Sequence, residues 1–175
     1  MSVKILKVGA VSLPVLACLE LTQSYAPLGG DTILRSGRGT ALHQQSWRKV
    51  RITTSGSGWI PAWLDAVDTT VAQTLACIMP RLLPADAGTR QATLPATRRS
   101  DAGHTPYGLA FLADGSAQLA GASLAGNVAT VAAVAGAVAY AVGYYPQYTV
   151  RVLRPTDSGD RAGAQARWEL VCEEV

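Results

Sequence analysis

Leu19 to Asp65 reads LELTQSYAPLGGDTILRSGRGTALHQQSWRKVRITTSGSGWIPAWLD. The stretch holds three of the four tryptophans and the most basic cluster in the chain, Arg48–Lys49–Arg51. Short β-favouring runs, LELTQSY and WRKVRITTSGSGWIP, are separated by glycine and proline. That punctuation predicts a β-meander-like unit on which later strands are laid. Residues 47–54 alternate: Trp47, Lys49, Arg51 and Thr53 face one way, and Arg48, Val50, Ile52 and Thr54 the other. This is the pattern of a half-buried strand with one charged face. Residues 27–31 read as a loop, 32–34 as a short strand, and SGRGTALHQQ (36–45) as a basic, glycine-rich loop. SGSG at 55–58 reads as a tight turn or bulge. Residues 59–64 then form an aromatic knot, in which core packing of Trp59 and Trp63 is expected.

Working outward, residues 3–8 and 15–25 read as strands, with turn or edge features at 9–14, where Pro14 cannot enter a central ladder. The opening MSVKILKVGAVSLPVLACLELTQ fits strand, turn and strand better than a secretory leader cleaved near Ala17. Residues 65–68 read as a helical turn or loop and 69–79 as a strand. Residues 80–106 are rich in proline and glycine and predict a surface arm with one short strand at 90–94, ordered by a neighbouring subunit. Residues 107–112 are a strand, and ADGS (113–116) is a hairpin turn. The uncharged run 119–146 holds four glycines and Asn127, which argue against a membrane helix. Two readings stay open there: strands, or a packed helix over 124–136 followed by a strand at 138–144. Strands follow at 147–153 and 165–172, with PTDSGDRAG between them as a loop. The expected fold class is mainly β: one antiparallel β-sandwich or barrel-like domain over 1–175, with extended loops and room for one short helix.

At 175 residues the chain can bury a real core without metals or disulfides. Charged residues are 15%, against about 25% ordinarily. An alanine- and glycine-rich, weakly charged surface suits a protein covered by partners; codon bias is the bland alternative. The net charge of +3 is uneven, with seven Lys/Arg against Glu20 and Asp31 in residues 1–60. That balance can meet an acidic partner surface. It lacks the clustered cations and stacking aromatics of a specific nucleic-acid binder. Cys18, Cys77 and Cys172 are widely spaced and include no CxxC pair, which predicts free thiols.

Chemistry-bearing patterns are sparse. His43 and His104 lie in predicted loops without nearby ligand partners, so no metal site and no cofactor are expected. Cys77 with His104 and Asp101 is the one conceivable nucleophilic set, but Cys77 sits in an apolar run, where a thiol is normally inert. No catalytic residue is assigned. Asp65 and Asp68 read as a loop ending. The candidate interface residues are Arg35 and Arg38 in the basic loop, Arg98 and Arg99 on the arm, and Trp59 and Trp63. Trp59 and Trp63, flanking Pro61, can alternatively line a peptide or glycan groove.

The patterns LELTQSYxPLGG at 19–30, TTSGSGWIPAWLD at 53–65, AYAVxYYPQYTV at 139–150 and WELVCEE at 168–174 resemble tail-tube-associated and baseplate proteins of tailed bacteriophages. The resemblance covers most of the chain and is weakest over the alanine-rich stretch 117–137. It implies a β-rich subunit repeated around the tail axis, often in six-fold rings, with arms that reach neighbouring subunits. It also implies contacts with tube, sheath or baseplate proteins, a place in the virion tail and no catalytic residues.

Overall fold

The computed structural model describes residues 5–160 and 162–175. The fold is mainly β, with three antiparallel sheets and, among the described residues, only two short 3₁₀ turns, Val15–Ala17 and Leu64–Ala66. Among the described residues none of the sheets closes into a barrel. Among the described residues no helix is long and apolar enough to cross a membrane. The chain divides into two units: Met1–Lys7 with Leu75–Tyr148, and Val8–Thr74 with Thr149–Val175.

A seven-stranded sheet contains β1 (Lys7–Val8), β2 (Val11–Ser12), β3 (Glu20–Arg35), β4 (Ala41–Gly58), β5 (Gln73–Ala76), β13 (Gln147–Asp160) and β14 (Gln165–Glu174). Its order is β2-β1-β5-β13-β14-β4-β3, so β3 is an edge strand. The strands β3, β4 and β14 lie in the second unit. Their alternation sets its buried face: Ile52 pairs with Cys172, Thr54 with Leu170, and Gly56 with Trp168. Gln23 Nε2 donates to Thr54 Oγ1 at 3.0 Å, which satisfies a buried polar pair on that face. Val8, Leu13, Ala17, Ala62, Leu64, Val67, Val150 and Val152 are also buried in this unit.

The other unit holds two sheets. One is β6 (Arg81–Ala85), β12 (Ala137–Tyr144), β8 (Tyr107–Leu112) and β9 (Ala117–Ala120), in that order. The other is β10 (Ala122–Ala125), β11 (Val128–Val131) and β7 (Gln91–Thr93). Both contribute to one core: Ala92, Ala129 and Val131 from the smaller sheet, Val142 and Tyr144 from the larger, with Leu94 beside them. Gly108 of β8 lets the layers meet, since a Cβ there would stand 2.6 Å from Val131 Cγ1.

Several expectations are corrected. Residues 27–31 and 41–45 are strand, and β4 runs through the SGSG segment without turning. Residues 15–17 are a 3₁₀ turn rather than strand, and the strand expected over 69–79 is confined to Gln73–Ala76. The strand expected at 3–8 is only Lys7–Val8 among the described residues; 3 and 4 lie outside them. Residues 80–106 carry two strands, β6 and β7, each hydrogen-bonded into a sheet. The helix considered over 124–136 is absent: β10 and β11 form a hairpin closed by Gly126–Asn127, with Gly126 at φ +61. The loop expected over 155–163 is strand as far as Asp160; residue 161 lies outside the described set.

Candidate assembly surface

The β4–β14 pairing ends at Arg51, opposite Glu173. Beyond it β3 and β4 continue alone, from Pro27 opposite Val50 to Arg35 opposite Ala41. This ribbon extends about 30 Å at about 3.3 Å per residue. Residues 31–35 and 41–48 are all exposed, so neither face of the distal ribbon is covered. Leu34 pairs with Leu42 on one face, and Ile33 sits opposite His43 on the other. Ile33 is 63% exposed, Leu42 60% and Trp47 48%. A bulge at Gly29–Asp31 bends the ribbon, and there the Trp47 indole lies against Gly30, where a Cβ would stand 2.5 Å from Nε1. The tip SGRGT closes through Gly39 N–H to Ser36 O at 2.8 Å and Ser36 N–H to Thr40 O at 3.0 Å. Arg38 is the only long side chain of the tip, between two glycines with open space around them. Arg35 Nη1 donates to Gly39 O at 3.4 Å.

At the opposite end of the same strands the outward face is a polar trough of about 540 Å³. Register explains its lining. Thr22, Ser55, Glu169 and Thr156 form one row across β3, β4, β14 and β13, and Glu20, Ser57, Arg167 and Ser158 form the next. These rows give two carboxylates, Glu20 and Glu169, against one guanidinium, Arg167; Asp157, opposite Trp168, alternates to the other face. Ser57 Oγ donates to Glu20 Oε2 at 3.0 Å. The strands beneath are held from the other side by Trp168, whose Nε1 donates to Ala17 O at 2.7 Å and whose ring packs against Gly56.

The other unit contains a buried polar cluster. Arg99, 2% exposed, donates from Nε and Nη2 to both carboxylate oxygens of Asp101, at 2.9 and 2.7 Å. Its Nη1 donates to the carbonyls of Ile5, Ala76 and Cys77 at 3.0–3.1 Å. These Arg99 hydrogen bonds hold the Asp101 carboxyl well below the usual carboxylate range, helped by the Arg99 and His104 charges and opposed by desolvation. His104 is buried 3.0 Å from Asp101 and edge-on to Tyr145.

The six interface candidates therefore separate. Arg35 and Arg38 are exposed on the ribbon and its tip. Arg98 is tied within its own unit to Pro95 O, Asn127 Oδ1 and Gly126 O. Arg99 is corrected from surface to interior. Trp59 and Trp63, expected in the core, are 69% and 58% exposed, and Trp63 is held at φ 58. The trough residues were missed, although Thr53, Ser55 and Ser57 continue the alternation of the preceding strand. Cys77 is fully buried, and partial burial pushes the Cys18 thiol up to about 11. Among the described residues no three His, Cys, Asp or Glu side chains gather as a metal site. Comparison with protein-family models, curated proteins and solved structures gives no match to this chain.

Proposed function

We propose that the chain is a structural subunit of a bacteriophage tail or baseplate, assembling with copies of itself and with tube or sheath proteins in the host cytoplasm. The observation that carries the assembly role is the β3–β4 ribbon. An isolated two-stranded ribbon is marginal in water, and this one exposes Ile33, Leu34, Leu42 and Trp47. Its two open edges are also templates for strand addition. A partner that covers the ribbon removes both costs. The paired sheets of the other unit are read as a β-sandwich, supported by the core that both supply; such a layer suits a rigid repeated subunit. The phage assignment rests on the sequence resemblance.

Light scattering and negative-stain imaging test the assembly role. The full chain is expected to form oligomers or rings as its concentration rises. A variant with residues 29–48 replaced by an Asn-Gly turn is expected to remain a monomer. Equal behaviour of the two chains contradicts the role.

A second reading is supported by the exposed Trp59 and Trp63: a peptide- or glycan-binding module. Saturable quenching of tryptophan fluorescence by such ligands, lost in Trp59→Ala and Trp63→Ala, favours it.

A further inference from the structure

We infer that the basic ribbon tip of one copy docks in the acidic trough of a second copy, head to tail. This rests on the assembly role above and names the partner and its site.

At the distal end, residues 35–41 carry Arg35 and Arg38 and no acid, while Arg48 and Lys49 lie at the base of the ribbon opposite Gly29 and Leu28. The trough face carries Glu20 and Glu169 against Arg167. The two surfaces are complementary in charge, which steers encounter and sets register. The tip is slender because Gly37 and Gly39 flank Arg38, and the trough is lined by short hydroxyl side chains between its carboxylates. A guanidinium entering it can take carboxylate acceptors in the fork geometry that makes such pairs strong.

A chain cannot dock on itself this way. Glu20 begins β3 and Arg35 ends it. The two ends are about 50 Å apart along one hydrogen-bonded ribbon at about 3.3 Å per residue. Tip and trough also differ, so the contact is heterologous. Repetition then gives a ring if the rotation closes and a filament if it does not.

The test uses two full-length variants: Arg38→Glu, which spoils the tip, and Glu20→Lys/Glu169→Lys, which spoils the trough. Mass is read by sedimentation, alone and in a 1:1 mixture. Each variant alone is expected to self-associate about 100-fold more weakly than the wild type. The mixture is expected to recover assembly, because the intact tip meets the intact trough and the charge-reversed tip meets the charge-reversed trough. Circular dichroism and thermal melting verify that both variants are folded. If Arg38→Glu assembles like the wild type, or the mixture remains monomeric, the tip-in-trough contact is overturned. If the 29–48 replacement blocks assembly while both charge variants assemble normally, the ribbon role stands and this docking site falls. If the replacement assembles normally, both fall. A wild-type chain that stays monomeric at millimolar concentration overturns docking between copies and directs the ribbon to a different protein.

Discussion

Arg99 shows how a single side chain can organise a loop-rich segment. Its guanidinium reaches three backbone carbonyls and both oxygens of Asp101. Removing it strands buried acceptors and an aspartate that has lost its counter-ion. Arg99→Met is expected to cost about 3 kcal/mol in urea unfolding, on the scale of breaking a buried charged hydrogen-bond set. Asp101 adds a pH dependence of definite sign. Its folded-state pKa is depressed below the ordinary 3.8, so its stabilisation is present above that value and lost as pH falls through the folded value. The urea midpoint of the wild type is expected to drop from about pH 5 down to pH 2, and less steeply in Asp101→Asn. Identical slopes would show that the carboxylate is not held by Arg99. The cluster was not legible in the sequence. Arg98 and Arg99 look alike there, and only the fold sends one to Gly126 and Asn127 and the other inside.

At the scale of elements, the segments with clean alternation and a two-sided environment were readable. Tyr107–Leu112, the ADGS turn, Ala137–Tyr144 and Gln165–Glu174 lie close to their expected positions. The ribbon was not readable, because its residues have two meanings. Pro27 breaks a central strand, yet β3 is an edge, where a missing N–H is tolerated. Gly29 and Gly30 belong to a bulge, and Gly56 makes room for the Trp168 ring. In the sequence, turn residues that serve close packing inside strands read as loops. The Gly126–Asn127 pair was the overlooked hairpin signal within the alanine-rich run. The ribbon also predicts a separation of stability from assembly. Leu34→Asp with Leu42→Asp alters an exposed pair, so unfolding free energy is expected to change by under about 1 kcal/mol. Oligomer mass is expected to fall at every concentration. An unfolding midpoint that drops sharply would instead place the pair in the core of the isolated chain.

For the whole molecule, low charge and small residues predict a surface suited to partners, while the surface proposed here for contact was not legible in the sequence. It emerges only when register aligns Ser55, Ser57, Thr22 and Glu169 at one end of the strands and leaves Ile33, Leu34 and Leu42 bare at the other. Buried thiols bear on the enzyme alternative: native Cys77 is expected to react with a thiol reagent far more slowly than in the unfolded chain. The most direct measurement of the assembly account is amide hydrogen exchange followed across protein concentration. Amides of residues 31–35 and 41–47 are expected to gain protection over the concentration range in which particle mass rises, while those of β14 change little. Mass that rises with no added protection in the ribbon would contradict it.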